Sequence, residues 1–112
     1  MAAAAKKVLT LSVVAVAALV QARAVTGLGT LPAAGARALG FTDFAAGAGE
    51  RVSVGALGST IAEAGAAITV DVLLEVDSVG RVVPKNTGVA VARALQAASG
   101  AGQMVEVLLI PN

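Results

Sequence analysis

Apolar and polar positions alternate with a period of two through much of this chain, and glycine or proline interrupts the alternation every few residues. The most regular stretch begins at Ile68, where Ile68, Val70, Val72, Leu74 and Val76 fall on one side of an extended backbone and Thr69, Asp71, Leu73, Glu75 and Asp77 on the other. That spacing predicts a strand with one buried face. Asp77 to Gly80 then reverses the chain, with Asp77 suited to the first turn position and Gly80 to a left-handed one. Arg81 to Val83 return as the second strand of a hairpin, which Pro84 ends or edges because proline gives the ladder no donor. Upstream, Val52, Val54 and Ala56 alternate with Arg51, Ser53 and Gly55, predicting another half-buried strand. Ile61 starts a further short extended piece that stops near Gly65. Asp43 is placed to make an Asx turn, with Gly47 and Gly49 supplying positive φ. Downstream, Val89 and Val91 alternate with Ala90 and Ala92, "AASGAG" makes a turn, and Met104 to Ile110 forms a last strand. A helix over residues 89–98 competes there, since alanine favours helices. The segment "TGLGTLPAAGARALG" reads as loop with short strands, because five glycines and prolines break any longer element. Short strands at regular spacing with glycine-rich turns predict an all-β fold, a small single-domain sandwich or a tulip- or barrel-like arrangement of antiparallel strands.

The opening stretch "AAAAKKVLTLSVVAVAALVQARA" supports two incompatible readings. Lys6 and Lys7 with the apolar run Val8 to Val20, followed by Ala22-Arg23-Ala24, imitate a cleavable export signal. The run is too short for a membrane span, which needs about 20 residues. Its β-branched Val8, Val13, Val14, Val16 and Val20, interrupted by Thr10 and Ser12, equally suit a first strand of the fold. On the strand reading the chain divides into an N-terminal arm or first strand over 1–20 and a β-rich remainder over 21–112, within one domain.

Composition changes the picture in two ways. The chain is 57% hydrophobic but mainly through alanine and valine, with Phe41 and Phe44 as its aromatics. Small side chains bury little area at about 25 cal/mol per Å², so subunit contact is expected to supply missing burial. The last strand fits this: Val105, Val107 and Leu109 alternate with Met104, Glu106 and Leu108, so both faces are apolar. One face would pack in the fold and the other against a subunit. Charge matters less. Eight basic and seven acidic residues give a net +1 and are scattered, which leaves no electrostatic footprint for nucleic acid.

Candidate chemistry is sparse. The chain has no cysteine and no histidine, which removes thiolate sites and the commonest general base and metal ligand. Gly27-x-Gly29 lacks the third glycine and following helix of a phosphate loop. Asp71, Glu75 and Asp77 share a strand face, but their spacing sets successive carboxylates about 7 Å or more apart, and a solvated outer face explains them better than a calcium site. Ser53, Ser59, Ser78 and Ser99 have no base to activate them. No catalytic site, metal site or cofactor is expected.

From Ala38 onward the chain resembles the capsid decoration, or head cement, proteins of tailed bacteriophages. The stretches that carry the resemblance are "ALGFTDFAAGAGERVSVGALGSTIAEAGAAI", "VDSVGRVVP" and "GVAVARALQAASGAGQMVEVLLIPN", in that order. One departure stands at Val70-Asp71-Val72, where many relatives have a glycine, so a continuous strand is expected in place of a turn. Members begin with a short basic-to-apolar strand much like Lys6 to Val20, which favours the strand reading of the opening stretch. The resemblance implies a non-enzymatic virion protein, assembled in the host cytoplasm, that binds the capsid exterior, bridges copies of the major capsid protein and stabilises the head against packaged DNA. It implies homotrimers, with a dimer as the alternative, and no membrane or direct nucleic-acid partner. Candidate contacts are Lys6, Lys7, Val8, Leu9 and Leu11 on the first strand, within an arm Ala2 to Val20 that pairs by strand addition, and Met104, Leu108 and Ile110 on the last. A secreted β-rich adhesin cleaved near Ala24 is the competing reading.

Overall fold

The computed structural model describes residues 5–112, and all regular elements among them are strands. They are β1 (Lys6–Val14), β2 (Ala24–Val25), β3 (Gly40–Thr42), β4 (Arg51–Glu63), β5 (Leu73–Val76), β6 (Val82–Pro84), β7 (Ala92–Ala94) and β8 (Met104–Leu109). Every strand pair is antiparallel, in the order β2-β3-β4-β8-β7-β5-β6, with β1 added on β4. The two ends of this order meet. Ala24 N–H donates to Gly80 O in the turn between β5 and β6 (2.8 Å), and Ala64 bridges Val82 just past the end of β4. Glu63 reinforces the closure, since its carboxylate takes both Arg23, ahead of β2, and Arg81, ahead of β6. The sheet is therefore a nearly closed barrel.

Strand β4 organises the molecule. The two extended pieces expected at Arg51–Ala56 and from Ile61 are one strand of 13 residues. Gly58 makes this continuity practicable: it holds φ at +91°, where a side chain is strained, and the register of β1 shifts opposite it. A bulge at a left-handed glycine re-aims a strand without ending it. Val52 and Val54 then join a smaller apolar cluster with Ala15, Leu19, Val25 and Ala46, while Ala62 joins a larger one built on Phe41, Leu74, Val76, Val105 and Val107. Both clusters are lightly built. Among the described residues, ten of the 23 buried apolar ones are alanines, which leaves 13 larger side chains inside against 17 large ones exposed.

The alternation from Ile68 to Asp77 becomes a strand only over Leu73–Val76. Asp71 adopts φ +72°, its N–H donates to Ala94 O, and Val70 is exposed. The expected loss of the turn is thus corrected. Aspartate tolerates the left-handed region better than most residues, so Asp71 does what a glycine would. The hairpin reading holds: Gly80 has φ +83°, and the Asp77 carboxylate accepts from the N–H groups of Val79 and Arg81. Asp43 does not cap its own turn. Its carboxylate accepts from Ser53 Oγ at 2.6 Å and pairs with Lys7 Nζ at 2.7 Å, across the sheet. The competing helix over 89–98 gives way to β7, because Ala92 and Ala94 point into the larger cluster and Arg93 out.

Candidate functional site

The opening stretch becomes the sheet's free edge. Val54, Gly55 and Ser59 of β4 are each paired on both sides, to β1 on one and to β3 or β8 on the other. Strands β3 and β8 thus share one edge of β4, and β1 has the other to itself. Its own outer edge has no strand beside it among the described residues. Eight of its nine residues are exposed, and Val13 is half-buried. Val8 is 76% exposed, and Leu9, Leu11 and Val14 are exposed beside it.

An edge strand of this length and apolarity invites pairing, and proteins usually blunt such edges with charge or twist. Here both devices stand at one end. Lys6 and Lys7 occupy the start of the strand, the first tied through its N–H to Ser59 Oγ (3.0 Å) and the second to Asp43, with the Gly58 bulge beside them. From Leu9 to Val14 no charge interrupts the edge. Beside it lies an apolar cleft of about 220 Å³, lined by Leu9, Leu11, Leu39, Leu57 and Pro111. The strand ends at Val14. Ala15 and Leu19 then turn into the smaller cluster, Ala15 N–H donating to Glu50 O and Leu19 pairing with Ala46. The arm drawn over Ala2 to Val20 is therefore a docked strand over residues 6–14 with a return anchored by buried Ala15 and Leu19 and otherwise exposed, and Ala2 to Ala4 lie outside the described residues.

The last strand is placed differently. β8 is paired on both edges, by β4 and β7, so an edge role for it is excluded. Val105, Val107 and Leu109 point inward, as the alternation requires, while Met104 and Leu108 are exposed on the outer face. Ile110 is half-buried just beyond the strand, its N–H donating to Val91 O. The structure joins the two sets at one point. Lys6, Ser59 and Leu108 lie in a single row across β1, β4 and β8, and that row continues through Arg93 of β7 to Leu73 of β5. Val8, Leu9 and Leu11 stay apart from the β8 residues.

Sequence reading missed Leu57 and Pro111, which no local period marks as neighbours of Leu9. It also missed Arg93, although the alternation Ala92-Arg93-Ala94 was there to signal an outward cation. The carboxylates once grouped as a strand face have separate structural duties. Glu75 accepts from the N–H groups of Asn86 and Gly88, and these bonds hold its carboxyl below the usual carboxylate range. Lys85 adds to that lowering, and partial desolvation opposes it. Asp71 lies 3.6 Å from Arg93 in an open ion pair. Among the described residues no three carboxylates converge in a metal-binding group, and no helix is long and apolar enough to cross a membrane.

Comparison with known proteins gives matches of two kinds. A family model described as phage cement protein covers residues 3–109. Among solved structures, the crystal structure of the head fiber gp8.5 N base of bacteriophage phi29 matches with a TM-score of 0.75, over 91% of this chain and 93% of that one, at 18% sequence identity. Identity at that level conveys the fold alone. No curated protein matches.

Proposed function

The chain belongs to the phage cement protein family, a structural component of the virion that decorates and stabilises the capsid, and from that premise we propose how it holds the shell. Strand β1 is the capsid contact. It lies on the outer surface of the head and receives an extended segment of the major capsid protein as a further strand of the sheet. The free edge of a nine-residue strand presents about eight backbone groups, each hydrogen bond worth roughly 0.5–1.5 kcal/mol net. Main-chain pairing gives affinity, and the side chains of Val8, Leu9 and Leu11 with the adjoining cleft give selectivity. Each contact is modest, and many copies in fixed register make the lattice strong. The clamp opposes the outward pressure of packaged DNA.

The role is non-enzymatic, assembly takes place in the bacterial cytoplasm, and copies associate with one another on the shell as trimers or dimers. The observation that carries this reading is the exposure of β1 along one edge and both faces. The test uses heads lacking the protein, to which purified full chain is added. Occupancy is measured by gel densitometry and shell strength by the temperature of DNA release. Wild type is expected to saturate the heads and raise that temperature. Val8→Glu with Leu11→Glu is expected to lose occupancy while its own melting temperature stays near wild type, since both side chains are exposed. Full occupancy by that variant would sink the β1 assignment.

A further inference from the structure

From Leu9 to Val14 the free edge of β1 carries no charge. Main-chain pairing along such an edge holds nearly as well in registers two residues apart, because a shift of two returns every side chain to its own face. A lattice in fixed register needs a device that selects one of them. A turn stands where the edge ends. Beyond Val14 the outward N–H of Val16 is already taken by Gly29 O at 3.1 Å. A Cβ on Gly29, which holds φ +80°, would fall on the carbonyl oxygen of Val14, so the close approach depends on a residue without a side chain. An added strand can therefore follow β1 as far as Val14 and no further.

The turn is braced from within. Thr26 N–H donates to Thr30 O (2.8 Å) and Gly29 N–H to Thr26 O (3.0 Å). The two threonine hydroxyls bond each other at 2.7 Å, and Thr26 Oγ1 also accepts from the N–H groups of Leu28 and Thr30. At the tip, Leu28 is 80% exposed, the highest value of any large apolar side chain among the described residues. A lone exposed leucine is ordinary on a protein surface. This one is held on a rigid turn at the end of a free edge, and residues 24–36 around it carry no charge.

We infer that the Thr26–Thr30 turn sets the register of the capsid contact, stopping the added strand at Val14 and seating Leu28 in an apolar socket of the major capsid protein. The inference rests on the reading of β1 as that contact but uses residues outside the strand. The occupant follows from position and charge. A segment paired along Leu9 to Val14 brings its own subunit against the turn, and a braced, uncharged tip gives up little order and no ionic hydration on contact. The stop blocks slip past Val14, and the seated leucine blocks slip the other way.

The experiment measures occupancy of decoration-free heads against the concentration of purified full chain, with circular dichroism melts as a check on folding. Leu28→Ser is expected to raise the concentration for half occupancy about tenfold or more, the share of one buried leucine, with its melt unchanged. Leu28→Met, which stays apolar, is expected to bind as wild type does. A short diazirine amino acid in place of Ser12 reads the register by photo-cross-linking and mass spectrometry. With Leu28 present it is expected to mark one capsid residue. With Leu28→Ser at saturating concentration it is expected to mark a second, two positions away on the side the stop leaves open. Unchanged half occupancy in Leu28→Ser, or a single marked residue persisting in it, overturns the inference. Val8→Glu with Leu11→Glu is measured alongside. If that variant loses occupancy while Leu28→Ser keeps it, the turn fails and the β1 reading stands. If it binds in full while Leu28→Ser does not, the β1 reading fails and the turn still grips the shell.

Discussion

Replacing Gly58 by alanine should release β1 while leaving the barrel standing. Gly58 holds φ +91°, and an added Cβ would fall on the carbonyl oxygen of Lys6 and 2.8 Å from the nitrogen of Val8, backbone atoms that cannot rotate away. The left-handed backbone alone costs alanine about 1–2 kcal/mol. Separating residues 6–8 from β4 forfeits a further two or so ladder bonds, at about 1 kcal/mol each. Detachment is the easier relief, since β1 buries almost no apolar surface and β4 remains paired to β3 and β8. Hydrogen exchange should therefore show protection at residues 6–9 falling about 30-fold, the equivalent of about 2 kcal/mol, with β7 and β8 unchanged. Occupancy on decoration-free heads should fall with it. Gly49→Ala is the control, because Gly49 has φ +85° but open space where a Cβ would go. It should cost the backbone term alone and leave β1 protection intact. Unchanged protection at residues 6–9 in Gly58→Ala, or a uniform loss across all strands, would refute the reasoning.

Glu63→Ala leaves Arg23 and Arg81 facing each other in a largely enclosed site, their side chains 16% and 31% exposed. Removing one partner of a buried pair costs about 3 kcal/mol at the lower end of such cases. Melting should fall by roughly 10 °C for a chain of this size, and a fall under about 3 °C would show that the clasp does not close the barrel. Asp71→Ala should cost about 1 kcal/mol in a denaturant melt, because alanine is strained at the left-handed φ of +72° that Asp71 holds, while loss of the open ion pair with Arg93 adds little. Glu75 supplies stability that is complete above its ordinary unfolded value, about 4.3. Its folded value is lowered, so that contribution drains away as pH falls through the folded value. Exchange at Asn86 and Gly88 should accelerate in that acid range in wild type, and Glu75→Gln should abolish this pH dependence.

How far the fold was legible depended on whether local period and tertiary demand agreed. They agreed at Asp77–Gly80, where a capping carboxylate and a left-handed glycine define the turn wherever it sits, and along Val105, Val107 and Leu109. They disagreed from Ile68 to Val72. There the alternation continues in sequence, but Asp71 turns the backbone, and nothing in a period of two announces a left-handed aspartate. Gly58 misled in the opposite sense: a glycine between two apolar runs reads as a stop, whereas a bulge lets β4 pass through. The edge character of β1 was only half legible. Its apolar, β-branched residues specify a strand, but which of its sides stays open is decided by pairings to β4, from Val14 with Arg51 to Lys6 with Ser59, far outside any local period. The β5, β7 and β8 patch was less legible still, because Leu73, Arg93 and Leu108 become neighbours only through the register of three strands.

Large apolar side chains outnumber their buried counterparts on this molecule, and their distribution gives the surface its meaning. One set lines a free strand edge, and another stands outward on β5, β7 and β8. The most direct test of the β1 assignment is a cryo-electron microscopy map of decorated heads at a resolution that separates strands. It should show an additional strand of the major capsid protein at ladder spacing, about 4.8 Å, along Leu9 to Val14. A map in which that edge faces solvent and the shell is gripped elsewhere would contradict the assignment.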